Sequence, residues 1–509
     1  MSDEGVGTTV PDGAMAATAS TPSQNRSLIT NSSAMVISRI ITAVFGWAGT
    51  VVIARTLSPE DWGKYSFIFG LLGIMALVTD LGVGRVVLAR LTADDHDEAQ
   101  QVAGSFILLR ILLGLLGFAV AVLYAWATGL SVAFVAVVAF AATGVVLATP
   151  SNALLVLYQA RLRLVPLALW DVVAQIVQFA LVLVVAATAP GLAWFVVPSV
   201  VKEVVVLVVR GAGVLRGKLG PRPVFSAGTR YWREMLREAV PISIGFALIM
   251  LLTKVDILIL QRLDTYDAVG MYAIGYKFSD LVIIVTVTIS VPFTTVLIKA
   301  WPHDTETFRC RTRQAMVVAG GLGALAVIGF WPTAEFFIGL LYGETFVPAS
   351  DAARLLVLSS AISGVTNIGI VALVAARKLT VFPWVAGAGV LLNVGLNYLA
   401  IPHFSYDGAA AATLVTETLM FVVCLIVVQR SLRIEGVVAW GPLVRQVLLA
   451  AALIVPAVVL TGYAGLPWPP VIVAALLLFA ALAEYSGSLE NIPLLSRTAA
   501  AFGIGRKDR

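Results

Sequence analysis

Charge is what this chain has least of. Asp, Glu, Lys and Arg make up 12% of its 509 residues, against roughly 25% in a soluble globular domain. A solvated surface of ordinary extent cannot be built from so few. The two cysteines, Cys310 in a loop and Cys424 within an apolar stretch, exclude a disulfide framework or a thiolate metal site. His96, His303 and His403 all fall in loops or at the ends of apolar stretches, which excludes a histidine-based catalytic cluster. A phosphate-binding Gly-x-x-x-x-Gly-Lys loop is missing, so the chain does not hydrolyse ATP that way. No long basic tract with interleaved aromatics occurs, so nucleic acid is not an expected partner. Residues 1–27 carry one cation, Arg26, and lack the basic start and compact apolar run of a cleavable signal. They read as a disordered cytoplasmic tail.

What remains is apolar: 59% hydrophobic residues and a mean hydropathy of +0.95. A helix needs about 20 apolar residues to cross a bilayer, and backbone facing lipid must satisfy its own hydrogen bonds. Fourteen stretches qualify, at 31–54, 62–88, 101–127, 131–157, 166–188, 192–211, 237–261, 268–298, 311–331, 350–375, 380–400, 407–430, 443–463 and 468–486. The expected fold is an all-α integral membrane protein. It has a tail (1–27), an N-terminal six-helix lobe (28–211), a basic connector (212–236), a C-terminal six-helix lobe (237–430), and an extra helix pair with a second tail (431–509).

The cations fall in alternate gaps. Arg85 and Arg90, Arg161 and Arg163, the series from Arg210 to Arg237, Lys299 to Arg313, Arg377 and Lys378, and Arg430 and Arg433 occupy even-numbered gaps. Odd-numbered gaps hold little beyond Arg55, Lys64 and Arg262. Lys and Arg accumulate on the cytoplasmic side, so both termini are expected there, in a multi-pass protein of the cell membrane. The connector ends in Thr229–Arg237, rich in Arg, Trp and Tyr. It suits either a short helix on the inner leaflet surface or a solvated linker.

The halves repeat. Arg55, Gly63 and Tyr65 before the second span recur as Arg262, Gly270 and Tyr272 before the eighth, each 207 residues on. Ala160-Arg161 recurs as Ala376-Arg377, 216 residues on. An even number of spans per half keeps the orientation, as in transporters whose two lobes surround a central site.

Three stretches carry a family likeness: Ala54-Arg-Thr-Leu-Ser-Pro-Glu-Asp-Trp-Gly-Lys-Tyr65 with Asp80-Leu-Gly-Val-Gly84; Val255-Asp256-Ile-Leu-Ile-Leu260 with Val269-Gly-Met-Tyr272 and Val291-Pro292; and Asn393-Val-Gly-Leu-Asn397 through Pro402 with Tyr406-Asp-Gly-Ala-Ala-Ala-Ala-Thr413. With the span count they resemble the polysaccharide-exporter, or lipid-linked oligosaccharide flippase (Wzx-type), branch of the multidrug/oligosaccharidyl-lipid/polysaccharide (MOP) exporter superfamily, over residues 28–486. Tyr406-Asp407 departs from the Gly that often precedes Gly-Ala-Ala there. The resemblance implies a MATE-like V-shaped transporter that opens alternately to each side. Its implied substrate is a prenyl-pyrophosphate-linked glycan moved between leaflets, with a polysaccharide polymerase machinery as a further partner.

Charges inside spans are costly and point to function. The cations Arg39, Arg110, Lys202, Lys254 and Lys277 are candidates for holding a pyrophosphate headgroup, Arg as a fork and Lys as a point charge. The carboxylates Asp80, Glu203, Asp256, Asp280 and Glu417 are candidates for ion coupling by H+ or Na+, the chain needing no other cofactor. Tyr272 and Tyr276 are candidates for stacking on sugars. Arg39, Thr42, Gly46 and Thr50 form a polar stripe on span one, and in span seven Ser243, Lys254 and Gln261 share one face, with Asp256 nearly opposite. The competing reading of Lys277 with Asp280, and of Lys254 with a carboxylate of another helix, is an internal ion pair that pins the bundle. Arg85, Asp171, Asp351 and Arg354 read as snorkelling span-end charges, Asn393 and Asn397 as interhelical hydrogen-bonding residues, and Pro292 as a hinge.

The expected function is therefore a secondary transporter flipping a lipid-linked oligosaccharide from inner to outer leaflet for cell-surface polysaccharide assembly. The rivals are a multidrug/cation antiporter, which would favour buried anions over this near balance, and a peptidoglycan-precursor flippase. A membrane glycosyltransferase or polymerase is the rival from another class. Its best acidic pair, Glu60-Asp61, sits in a loop too short to close over an acceptor, and Ser58 marks that loop as a helix start.

Overall fold

The computed structural model describes residues 22–80, 82–91, 96–160, 165–216, 222–378, 381–462 and 466–486. Sixteen α-helices, with three short 3-10 turns, make up the described architecture, and no strand occurs among the described residues. The N-terminal lobe comprises α1 (Pro22–Thr56), α2 (Pro59–Asp80), α3 (Val83–Leu91), α4 (His96–Ala127), α5 (Val132–Ala160), α6 (Val165–Thr188) and α7 (Leu192–Leu215). The C-terminal lobe comprises α8 (Trp232–Leu252), α9 (Val255–Leu263), α10 (Tyr266–Ala300), α11 (Thr305–Phe330), α12 (Ala334–Tyr342), α13 (Ser350–Ala375) and α14 (Phe382–Leu432). The final pair is α15 (Trp440–Gly462) and α16 (Trp468–Tyr485).

Among the described residues, eleven helical segments are long and apolar enough to cross a membrane. The fourteen expected spans are recovered because four of them, the second, seventh, eleventh and twelfth, are not simple separate helices. Spans eleven and twelve run together as α14, whose 51 residues fold back at Ser405, where φ is 53° and ψ is −135°. The second span is α2 plus α3, broken at Gly82 with φ +59°. The seventh is α8 plus α9, broken at Thr253–Lys254, where the Thr253 and Lys254 amides donate to Met250 and Leu251 in the tighter i, i+3 pattern. Span seven is thus no continuous helix, and the break sets Ser243 on α8 apart from Lys254 at the N-cap of α9 and Gln261 within it, so the three do not share the face of one helix. The Ser243 side chain lies outside the described residues. Pro292, the expected hinge, sits inside an uninterrupted α10. The expected N-terminal tail also ends sooner: α1 opens on Pro22, whose missing N–H costs nothing at a helix start.

The repeat encodes two matched helix starts. Ser58 accepts a hydrogen bond from the Asp61 amide at 3.2 Å, and Thr265, its repeat partner, accepts one from Ala268 at 3.3 Å. Each supplies an oxygen to an otherwise orphaned first-turn N–H. The helices so capped, α2 and α10, then pack together across the lobes. Phe67, Ile68 and Leu71 of α2 share one buried cluster with Leu260 of α9 and with Val269 and Tyr272 of α10. Glu60, Asp61, Asp264, Asp267, Asp351 and Asp407 gather at this end, which is the acidic end of the bundle.

At the opposite, basic end, Val83, Val87 and Leu91 of α3 pack with Met235 and Ala239 of α8. Arg90 donates to Glu234 at 3.0 Å and to Glu238 at 2.7 Å. The hydrogen bond from Arg90 holds the Glu234 carboxyl below the usual carboxylate range. The described part of the connector, from residue 222 on, is neither a surface helix nor a free linker. A 3-10 turn at Phe225–Ala227 precedes α8, and the strand of chain around it docks on α4. Val224 donates to the Gln100 carbonyl at 3.0 Å, Ser105 donates to the Gly228 carbonyl at 2.7 Å and the Trp232 indole donates to the Ser105 carbonyl at 2.9 Å.

The outer faces are apolar, as a lipid solvent requires: Leu123, Trp126, Val208, Leu391 and Leu399 are all exposed. The extra pair docks on α11 through a small cluster of Ala324, Ile328, Ala450, Ala475, Phe479 and Ala483. Small residues at such contacts let membrane helices approach closely.

Candidate functional site

Two polar clusters stand inside this apolar bundle, one in each lobe. The C-lobe cluster is centred on Asp256, which has no exposed surface. It lies in the first turn of α9, where the amide dipoles favour negative charge. Its Oδ2 accepts hydrogen bonds from the Tyr272 hydroxyl at 2.8 Å, the Thr413 hydroxyl at 2.9 Å and the Tyr276 hydroxyl at 3.4 Å. Its Oδ1 accepts one from Asn397 Nδ2 at 3.0 Å. Neutral donors thus surround a carboxylate, and no cation pairs with it among the described residues. Asn397 Nδ2 also reaches the Asn393 carbonyl and side-chain oxygens, both at 2.9 Å, while Asn397 Oδ1 and Asn393 Nδ2 are buried without a partner. The cluster therefore holds one carboxylate, hydroxyl oxygens and amide oxygens, a hard-oxygen set of the kind that suits a proton or an alkali ion.

Lys254 borders it. The break between α8 and α9 puts this residue at the N-cap of α9, with its Nζ 5.7 Å from the centre of the Tyr276 ring. That distance is within cation–π range. Glu417 stands one turn beyond Thr413 on α14 and is half-buried. Lys277 and Asp280, also half-buried, lie three residues apart on α10, yet no ion pair joins them within 4.0 Å. Tyr272 is fully buried with its hydroxyl committed to Asp256. Its ring faces are covered by protein, so this conformation leaves no face for a sugar. Tyr276 keeps partial exposure but presents its ring to Lys254.

The N-lobe cluster lines two adjoining cavities of about 270 and 290 Å³ that share Ala148, Asn152 and Glu203. Arg110 lines the first. It is 2% exposed and is largely committed to protein, donating to Asp80 Oδ1 at 2.9 Å and to the carbonyls of Thr79, Asp80 and Thr149. Lys202 and Glu203, adjacent on α7, reach the second cavity with Asp171, Gln175 and Arg210. Lys202 makes no ion pair there within 4.0 Å. Arg210, counted in the sequence among the cations of an even-numbered gap, is instead a buried residue of α7. It donates to Asp171 at 3.0 Å and to the Ser151 hydroxyl at 3.1 Å. Asp171 is therefore a partner in this lobe and not a snorkelling end charge. Its pairing across 39 residues left no signal in either local stretch. Asp351 and Arg354 do stay at a span end, paired at 2.6 Å, and the Arg85 side chain lies outside the described residues.

Arg39 joins neither cluster. It is exposed on α1, and its 17-residue distance from Thr56 at the acidic end amounts to about 26 Å at 1.5 Å per residue, close to the basic-end interface of a 30 Å core. Along the same stripe Thr42 lines the second cavity, and Gly46 faces Gln175.

Breaking the Arg110 pair tests how far that residue is structural. Arg110→Ala leaves the carbonyls of Thr79 and Thr149 without their donor, and a buried pair broken from one side typically costs about 3–5 kcal/mol. Arg110→Ala is expected to lower stability in detergent by roughly that amount. Asp80→Asn, at a 60% exposed side chain, should lower it by less than about 1 kcal/mol. Equal losses in thermal or denaturant unfolding would contradict this division.

Comparison with known proteins follows the same lines. A family described as polysaccharide biosynthesis protein matches residues 28–298, more than half of the chain. No curated protein matches it. Among solved structures, the lipid II flippase MurJ in an inward closed conformation superposes with a TM-score of 0.70 at 12% identity, covering 89% of this chain and 99% of that one. An inward-facing multidrug resistance MATE family transporter of the MOP superfamily superposes at 0.63 with 15% identity, covering 77% and 94%. A MOP superfamily transporter from Pyrococcus furiosus, described as having a binding pocket of reverse polarity, superposes at 0.58 with 13% identity, covering 80% and 96%. At such identities the likeness is one of fold, and the family match supplies the membership. The chain belongs to the polysaccharide biosynthesis protein family and shares the fold of the MurJ and MATE structures.

Proposed function

We propose that this protein is a transporter of the MOP superfamily and not an enzyme, and that it flips a prenyl-pyrophosphate-linked oligosaccharide from the inner to the outer leaflet, with its basic end and both termini in the cytoplasm. The observation that carries the reading is the pair of cations without carboxylate partners, Lys202 in the N-lobe cavity and Lys254 beside the Asp256 cluster. Unpaired cations inside a bilayer are costly, and an anionic diphosphate headgroup offsets that cost. Arg39, near the basic-end interface, is placed to meet the headgroup first, and Lys277 lies one residue beyond Tyr276 on the same helix. Arg110 completes the cationic side of the N-lobe cavity while holding α2 to α4 and α5.

Asp256 is the coupling residue in this reading, and Asn397, Thr413 and Asn393 complete the oxygen set for a proton or sodium ion. Glu203, Asp280, Glu417 and Asp80 are secondary candidates. A peptidoglycan precursor is the second reading, favoured by the overlap of 89% of this chain with a lipid II flippase. It shares the prenyl-pyrophosphate headgroup, so the cations serve it equally. Leaflet-resolved flipping in proteoliposomes tests the reading, with a fluorescent prenyl-pyrophosphate oligosaccharide and an impermeant quencher. Protein-dependent flipping that Arg39→Gln or Lys254→Gln slows by about tenfold or more, the loss of one charge-assisted phosphate contact, would support it. Wild-type rates in both variants, with insertion intact, would count against it. Any link to a polymerase machinery would appear as co-purification from native membranes.

A further inference from the structure

We propose that the repeat-related glycines Gly63 and Gly270 form the seam along which the two lobes part at the acidic end. Arg90 with Glu234 and Glu238 is then the latch at the basic end, the two contacts being made and broken in turn. The proposal rests on the transporter reading and assigns the residues that govern which end opens.

The seam is a backbone-to-backbone contact. A Cβ on Gly63 would stand 1.8 Å from the Tyr266 carbonyl oxygen and 3.0 Å from the Gly270 nitrogen. A Cβ on Gly270 would stand 2.5 Å from the Pro59 carbonyl oxygen and 3.3 Å from the Gly63 nitrogen. Each glycine thus fills the space its repeat partner leaves, and the starts of α2 and α10 meet with no side chain between them. Among the described residues no hydrogen bond or ion pair crosses between 59–64 and 266–270. Lys64 only overhangs the Tyr266 ring, 5.9 Å from its centre. At the glycines themselves the contact has no directional bond to break; farther along, Phe67, Ile68 and Leu71 meet Val269, Tyr272 and the Tyr266 ring in one apolar cluster that parts with the seam. Both glycines are helical, where alanine is intrinsically the better residue, so local conformation does not call for glycine and close approach does.

The latch is built differently. Arg90 reaches both glutamates across the lobes, and all three side chains keep contact with solvent, which suits an interaction that must be released. Its two carriers, α3 and α8, are each cut off from the rest of their spans, at Gly82 and at Thr253–Lys254. Each piece can therefore swing without unfolding its partner piece. The break beneath α8 is also where Lys254 sits, two residues before Asp256. Release of the latch and rearrangement of the coupling cluster consequently share one joint.

The test is cysteine accessibility in the full chain reconstituted in proteoliposomes, on a Cys310→Ser background. One reporter replaces Phe69, below the seam, and another replaces Met235, behind the latch, each read with a membrane-impermeant maleimide. Gly63→Ala and, separately, Gly270→Ala should raise labelling at position 69 by about fivefold or more and lower it at position 235, a population shift of about one kcal-scale step. Arg90→Gln should do the reverse. A third arm joins Arg90→Cys to Glu238→Cys with a cleavable bis-maleimide, which should stop flipping until the linker is cut. Labelling that rises at both ends in either glycine variant, or that does not change, would overturn the seam. Flipping that survives the linker would overturn the latch. The labelling arms need no substrate, so a wrong substrate assignment would leave them unaffected.

Discussion

An Asp256→Asn variant is expected to keep its fold and lose its response to an ion gradient. The substitution preserves shape, and the Tyr272, Tyr276 and Thr413 hydroxyls that now donate to the carboxylate can rotate to accept from the new amide. What disappears is the negative charge that a coupling cation or proton would neutralise. One elementary charge moved through 100 mV corresponds to about 2.3 kcal/mol, a factor of about fifty in a driven rate. Wild-type flipping should accelerate by up to that factor when a proton or sodium gradient is imposed, and Asp256→Asn should not. Asp256→Leu should behave worse, because it strips an acceptor from four donors at once. At about 0.6–1.7 kcal/mol per interhelical hydrogen bond in a membrane, stability should fall by about 3 kcal/mol. Gradient acceleration of the Asn variant equal to wild type would remove Asp256 from the coupling role.

The second large effect concerns the cations. Lys202→Gln and Lys254→Gln leave no buried carboxylate stranded, since neither lysine is ion-paired, so folding should be little changed. A charge-assisted hydrogen bond to phosphate is worth about 1.5–3 kcal/mol, so each variant should weaken headgroup binding by about 10- to 150-fold. The double variant should approach the product of the two if both lysines contact one headgroup in sequence or together. The effect should appear in the apparent KM for the lipid-linked substrate and in competition by soluble pyrophosphate. A cationic-drug antiporter would respond in the opposite sense, binding its ligand more tightly once a nearby positive charge is gone.

Much of the architecture was legible because lipid imposes long apolar runs and charges must leave them. The fourteen spans, the helix start at Ser58 and the repeat of Arg55, Gly63 and Tyr65 as Arg262, Gly270 and Tyr272 all follow from the chain itself. The breaks did not, for a physical reason. Thr253 and Lys254 include neither proline nor glycine, and hydropathy measures apolar length without sensing whether a helix turns within it. Gly82 carried the better signal, as a glycine beside Asp80, but glycines abound in this chain. The Asp256 cluster was half visible. A carboxylate in a span announces itself, whereas its partners Asn397 and Thr413 lie 141 and 157 residues away and only the folded lobe brings them together. Arg210 misled in the opposite direction. Counted among loop cations by its neighbours, it sits inside α7 because Asp171 and Ser151 provide acceptors that let a guanidinium enter the bundle.

The measurement that bears most directly on the central claim is leaflet-resolved translocation by the purified wild-type protein, in liposomes holding a prenyl-pyrophosphate oligosaccharide and nothing else. The account predicts protein-dependent loss of quencher protection, accelerated by an imposed proton or sodium gradient, with the lipid chemically unchanged. Full insertion with no movement of this lipid or of a peptidoglycan precursor, together with gradient-driven uptake of a cationic drug, would contradict it.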